Sequence, residues 1–121
     1  MQFPFDIPRR VSDEEAKRRV AINQARLRRV NEAIRTHRAD EALAFRCECG
    51  RLGCNQLIRL TRDEYNAVRA HPLRFAIVAG HEIDEIETTV ERYDRYAVVE
   101  AHDPVAAAVV EETSPDRRPP D

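Results

Sequence analysis

The sequence predicts an α+β protein: a long N-terminal helix followed by a small, mostly antiparallel sheet with one short helix. Three observations predict it. Apolar and small residues recur at helical spacing through the first third of the chain and at alternate positions from Leu43 onward. Two boxes of the form Ser/Thr-x-x-Glu, at Ser12 and Thr61, mark helix starts on either side of that change of period. All three cysteines and two of the three glycines fall within residues 45–54, where a chain of 121 residues with a small core would place a staple.

A hydrophobic fraction of 42% beside 35% charged residues leaves room for one domain with a modest core. No basic start runs into an apolar stretch, and no segment approaches the roughly 18 apolar residues of a membrane span, so the expected setting is cytoplasmic. In a reducing compartment three clustered cysteines read as thiolate ligands rather than disulfide partners, and an odd number cannot pair completely. The net charge of -2 conceals a split: residues 1–80 carry 16 Lys/Arg against 10 Asp/Glu, and residues 81–121 carry 4 against 12. A chain divided by sign in this way is not a general polyanion binder.

In chain order, residues 1–11 carry Pro4, Pro8 and no helical period, and read as a flexible arm. Residues 12–40 read as a long basic helix. Ser12 and Glu15 form its capping box, and Ala16, Val20, Asn23, Leu27, Val30 and Ile34 form a narrow seam at four-three spacing, through to about residue 38. Lys17, Arg18, Arg19, Arg26, Arg28, Arg29, Arg35 and Arg38 cover much of the remaining circumference, either as a wet face or as a surface for phosphates or an acidic protein. Residues 41–103 read as the zinc-binding α+β domain. Leu43, Phe45, Cys47 and Cys49 share one face of a strand, with Ala44, Arg46 and Glu48 on the other. Residues 57–60 form the next strand, and Thr61 with Glu64 caps a short helix that stops at His71-Pro72. Residues 74–79 form a strand ending at Gly80-His81, and residues 88–93 and 96–100 a hairpin about Asp94-Arg95. Over residues 104–121, Asp103-Pro104 opens a short helix to Glu112, followed by a Pro-rich tail that reads as disordered.

Tetrahedral zinc takes four thiolate or imidazole ligands, and Cys47, Cys49 and Cys54 supply three. Gly50 and Gly53 permit the tight return that brings Cys54 back to the first two. His81 is the best fourth ligand, placed past a strand end after a glycine, where a loop aims at a neighbouring strand's tip. His71 is second, while His37 on the helix and His102 near the tail each need long-range docking. The spacing Cys-x-Cys-x4-Cys is tighter than the common Cys-x2-Cys knuckle. Two other readings are buried small hydrophobes and a zinc-thiolate redox sensor, whose thiols near Arg46 and Arg51 would ionise readily. An iron-sulfur cluster lacks its fourth cysteine. Neither His-Glu-x2-His nor a deaminase pattern is present, and a full ligand set leaves no position for water, which argues against an enzyme, a zinc hydrolase included.

The pattern Phe45-x-Cys47-Glu48-Cys49-x4-Cys54, then Leu60-Thr61-x2-Glu64-Tyr65-x2-Val68-Arg69, then Arg74-Phe75 leading to Gly80-His81-Glu82, and Tyr96-x-Val98-Val99-Glu100, resembles an uncharacterised family of small actinobacterial proteins. Asn31-Glu32-x-Ile34-Arg35 extends the likeness into the helix, so that it spans residues 12–100. The resemblance implies His81 as the fourth ligand, because the family carries Gly-His there, and it marks Glu64, Tyr65 and Arg69 as a candidate functional face. The chain departs from the pattern at Ala79, where the family has proline, and at Ala101, where it has lysine.

The expected function is that of a non-enzymatic, zinc-binding regulatory or adaptor module with a macromolecular partner. A protein partner comes first, since aromatics suited to base stacking are few. Arg18, Arg19, Arg26 and Arg29 are the candidate partner-binding residues, nucleic acid is the alternative for the same side chains, and the helix seam offers a route to self-association.

Overall fold

The computed structural model describes residues 13–35 and 42–113. The predicted arm, the Ser12 cap, the last helical turn toward residue 38, His37 and the tail over 114–121 lie outside the described residues. Helix α1 spans Glu14–Arg35, 22 residues, with Glu14 and Glu15 in its first turn and Arg35 in its last, the arrangement that complements a helix dipole. At its start the Glu15 amide donates to Asp13 Oδ1 at 3.3 Å.

The face that α1 buries shares Val20 with the predicted seam, and Ala16 and Ile34 pack at its edges, but it is centred on other residues. Val20, Ala21, Gln24, Arg28 and Asn31 are buried, Val30 is 42% exposed, and Asn23 and Leu27 are only half-buried. The physical reason is that the buried polar residues have fixed partners across the interface. Gln24 Nε2 donates to Glu87 Oε1 at 2.8 Å, and Asn31 Nδ2 donates to the Arg46 carbonyl at 2.8 Å and to Glu48 Oε2 at 2.9 Å. Arg28, expected on the wet face, is fully buried. Its guanidinium donates to the carbonyls of Pro72 and Val110 at 3.3 Å and lies 5.5 Å from the centre of the Phe75 ring. Apolar periodicity is blind to polar side chains whose partners arrive from distant sequence.

Strands β1 (Leu43–Arg46) and β2 (Leu57–Leu60) form one antiparallel sheet, with Phe45 opposite Ile58. Strands β3 (Arg74–Ile77), β4 (Glu87–Arg92) and β5 (Ala97–Ala101) form a second, in the order β3-β5-β4, also antiparallel, with a register shift between Thr89 and Glu91. The α+β class is therefore as predicted, with the sheet divided in two. Glu48 joins the halves: its amide donates to the Ala76 carbonyl at 2.8 Å, and its carboxylate accepts from the Ala76 amide at 2.9 Å. A side-chain oxygen thus takes the place of a ladder carbonyl, and the two sheets meet without merging.

Helix α2 (Arg62–Arg69) begins with the predicted box: the Glu64 amide donates to Thr61 Oγ1 at 3.0 Å and the Thr61 amide to Glu64 Oε1 at 2.8 Å. Helix α3 (Pro104–Glu112) is capped by Asp103, whose Oδ2 accepts from the amides of Val105 and Ala106 at 3.0 and 3.1 Å. The other oxygen of Asp103 accepts from Lys17 Nζ at 2.7 Å and so ties α3 to α1.

The period-two alternation of β3 and β5 sends side chains into two cores. Phe75, Ile77, Ala97 and Val99 pack with Val20 and Ala21 of α1, with Ala106, Val109 and Val110 of α3, and with Cys47 and Cys49. Ala76, Tyr96 and Val98 pack on the other side with Phe45, Ile58, Leu60, Tyr65 and Val68. The Phe45 and Tyr65 rings stack with centroids 4.5 Å apart. The three-stranded sheet is thus covered on both faces, and the cysteine segment runs along its β3 edge.

Candidate metal centre

Beyond β1 the Cys47 amide still donates to the Gln56 carbonyl at 2.9 Å before the backbone turns to β3 through Glu48, and Cys47, Glu48 and Cys49 are all buried, Cys47 at 1% and Cys49 at 0% exposure. Glu48 keeps the side opposite Cys47 and Cys49, as the alternation predicts, but that side is buried too, and Phe45, expected beside the cysteines, packs in the other core. A strand with one packed and one wet face buries every second residue; this segment is covered on both sides, by α1 and by β3, and buries each one in turn. Gly50 and Gly53 then take positive φ values of 74° and 84°, and the Cys54 amide donates to the Arg51 carbonyl at 3.1 Å, which closes the return. A Cβ on Gly50 would lie 2.6 Å from the Val20 carbonyl oxygen, so glycine is also what lets the return press against α1. From the other side, Gly80 (φ 95°) and a bond from the His81 amide to the Val78 carbonyl at 3.0 Å turn the loop after β3 and present His81.

Sequence-predicted ligands Cys47, Cys49, Cys54 and His81 are brought together, with one ligand atom from each lying within 4.8 Å of all the others. His81 Nδ1 stands 3.6 Å from Cys47 Sγ and 3.7 Å from Cys54 Sγ. Those separations match the edges of a tetrahedral metal site: with metal-sulfur bonds of about 2.3 Å and metal-nitrogen bonds of about 2.0 Å, sulfur and nitrogen would sit about 3.6 Å apart. Two ligands are buried and two half-buried, so the set can hold a metal ion with one side reachable. His71 is exposed at the end of α2 and stands outside the cluster, and His102 Nε2 sits instead 3.1 Å from the Asp84 carbonyl.

Backbone amides point at the sulfurs, Val78 N to Cys47 Sγ at 3.2 Å and Arg51 N to Cys49 Sγ at 3.4 Å, which favours the thiolate form and fixes sulfur orientation. A side-chain hydrogen bond between the free thiols of Cys47 and Cys49 pulls the Cys47 pKa down to about 6 against burial, with the Val78 amide assisting. The same bond, together with burial, pushes Cys49 up. The shared hydrogen bond thus favours one thiolate in the pair, at Cys47, over two.

The sequence reading missed two positioning features. Arg51 clamps the loop that carries His81, donating through Nε to the His81 carbonyl and through Nη2 to the Glu82 carbonyl, both at 3.0 Å. Glu48, between the two cysteines, accepts from Tyr65 Oη at 2.5 Å, Asn31 Nδ2 at 2.9 Å and the Ala76 amide at 2.9 Å. It therefore fixes the cysteine segment to α1, α2 and β3 at once. Residue spacing carried no signal for either. Tyr65 is fully buried, and burial together with the Glu48 carboxylate raises its pKa, so it keeps its proton and donates a hydrogen bond to Glu48. Arg69 is buried over the Tyr65 and Phe75 rings, whereas Glu64 pairs with Arg95 at the surface.

Arg18, Arg19, Arg26 and Arg29 are exposed on α1 and make no hydrogen bond or ion pair among the described residues. No described helix is long and apolar enough to cross a membrane. No family model matches the chain, and comparisons with curated proteins and with solved structures find no match.

Proposed function

We propose that the chain is a non-enzymatic zinc-binding module, regulatory or adaptor in role, that holds its basic helix out to a protein partner. The observation that carries the reading is the set of three sulfurs and one imidazole nitrogen within 4.8 Å of one another, with two of the sulfurs buried. That donor set suits zinc: three thiolates and an imidazole in tetrahedral spacing form a closed structural site, and no position remains for a water that could be activated. The metal's role is then mechanical. It joins the turn after β1 to the loop after β3, and α1 is seated on that turn, with Asn23 Nδ2 donating to the Gly50 carbonyl at 3.3 Å. The division of charge between the chain's halves supports a protein partner rather than a long phosphate backbone.

Metal analysis of purified protein tests the zinc, with an expected content of about one per chain. Ligation of this kind contributes on the order of 10 kcal/mol, comparable to the whole stability of a small domain, so chelation at neutral pH should abolish cooperative unfolding. Cys49→Ser should do the same in reductant. Native-like folding of metal-free protein would sink the zinc reading. Affinity capture with wild-type protein and with the four helix arginines neutralised tests the docking role. Unchanged recovery of bound proteins by the neutralised helix would remove the arginines from it.

A further inference from the structure

We infer that the outward face of α1 is a docking surface for an acidic amphipathic helix of another protein. This rests on the reading of α1 as the docking element and narrows it to a partner class. At about 100° per residue, Arg18, Arg19, Ile22, Arg26, Arg29 and Val30 fall within an arc of about 120°, directly opposite the arc of Val20, Ala21, Gln24, Arg28 and Asn31 that seats the helix on the fold. Ile22 and Val30 are each 42% exposed. The four arginines of the face have no hydrogen-bond or ion-pair partner among the described residues, whereas the other described cations of the helix are engaged: Lys17 with Asp103, Arg28 with carbonyls, Arg35 with Glu32 and Asn66.

The pattern along the face decides the partner's chemistry. Two aliphatic side chains eight residues apart, about 12 Å along the axis, alternate with guanidiniums above, between and beside them. A partner that covers both must bring apolar residues at a two-turn repeat, flanked by carboxylates, on an element narrow enough to lie along a convex helix, and an amphipathic helix meets those conditions. A second copy presenting the same face would set four arginines against four, a like-charge juxtaposition that disfavours symmetric pairing. A nucleic-acid backbone would meet the arginines but leave Ile22 and Val30 against phosphate, where their burial gains nothing. The planar arginine fork suits carboxylates through paired hydrogen bonds, and its aliphatic stem covers apolar surface, so both halves of such a partner are served.

The test uses the full metal-loaded chain and three probes: a synthetic peptide of about 20 residues with leucines at heptad spacing flanked by glutamates, the same peptide with every leucine replaced by glutamine, and a DNA duplex of similar length. Binding is read by fluorescence anisotropy over a salt series, and the site by amide chemical-shift changes. The leucine peptide should bind at least tenfold tighter than the glutamine peptide and the duplex, with shifts confined to residues 18–30. Ile22→Gln with Val30→Gln should remove that tenfold preference, and Arg18→Gln with Arg26→Gln should weaken both peptides and flatten the salt dependence. Metal content and thermal unfolding serve as controls, since all four side chains are exposed. Equal binding of the two peptides through the arginines overturns the amphipathic partner while leaving the basic docking helix standing. Tighter binding of the duplex, self-association that competes with the peptide, or no binding of any probe overturns the inference together with the helix's docking role.

Discussion

Replacing Glu48 with glutamine removes one oxygen and one charge from the point where the two sheets, α1 and α2 meet. The carboxylate accepts three bonds: Tyr65 Oη at 2.5 Å and Asn31 Nδ2 at 2.9 Å on Oε2, and the Ala76 amide at 2.9 Å on Oε1. An amide has one acceptor oxygen. If that oxygen keeps Tyr65 and Asn31, the new NH2 group faces the Ala76 N–H, and a buried donor goes unpaired at a cost of about 1–3 kcal/mol. The two surviving bonds lose their charge assistance, roughly 1 kcal/mol each. Arg28, buried and drawn toward Glu48, also loses a compensating charge. The expected loss is about 4 kcal/mol, a large share of the 5–15 kcal/mol typical of a domain, and at roughly 4 °C per kcal/mol it lowers the melting temperature by about 15 °C. Urea unfolding of the metal-loaded protein, followed by circular dichroism with metal content measured alongside, gives the number. Tyr65→Phe completes a double-mutant cycle, in which the two changes together should destabilise by about 1–2 kcal/mol less than the sum of the singles. A loss under about 1 kcal/mol for Glu48→Gln, with metal retained, would refute the assignment of Glu48 as the joint between the sheets.

Burial holds the Glu87 carboxyl up at about 7, against the bonds from the Ile83 amide and Gln24 that lower it. The folded protein keeps a proton that the unfolded chain releases near 4.5, so this group's contribution is full below that pH and falls by about 3 kcal/mol as pH rises through 7. The stability of Glu87→Gln relative to wild type should therefore climb by that amount between about pH 5 and 8, measured by urea unfolding with metal in excess. A level difference would count against it, and acid release of the metal has the opposite sign. Gly50→Ala should lose at least about 3 kcal/mol, through left-handed strain together with the clash at the Val20 carbonyl, and should loosen α1 from the cysteine turn. Gly80→Ala, with nothing within 4 Å of its added carbon, should lose only the strain, about 1–2 kcal/mol. The reverse order in thermal melts would show that the packing of α1 on the turn does not matter. Arg51→Ala should leave the four ligands in place yet speed metal transfer to a chelator by about tenfold, because the loop carrying His81 loses its clamp.

The sequence by itself determined most of the elements and the four candidate ligands, because both are written in local chemistry. The Thr61 box, the strand at Leu57–Leu60 and the Asp103-Pro104 start of α3 each state a backbone preference within a few residues, and each appears where it was expected. The four ligands were legible because few side chains bind metal, and three of them stand within eight residues. Only the tertiary structure decided which face of α1 is buried, why the sheet divides, and that the side Glu48 takes is buried. Gln24, Arg28, Asn31 and Glu48 are polar by composition and buried by partnership. A polar group is buried when its hydrogen bonds are met, and the residues that meet them, Arg46, Glu87, Pro72, Val110, Tyr65 and Ala76, come from 15 to 82 positions away. Periodicity records what a segment prefers alone; pairing across the fold sets which of those preferences the folded chain keeps.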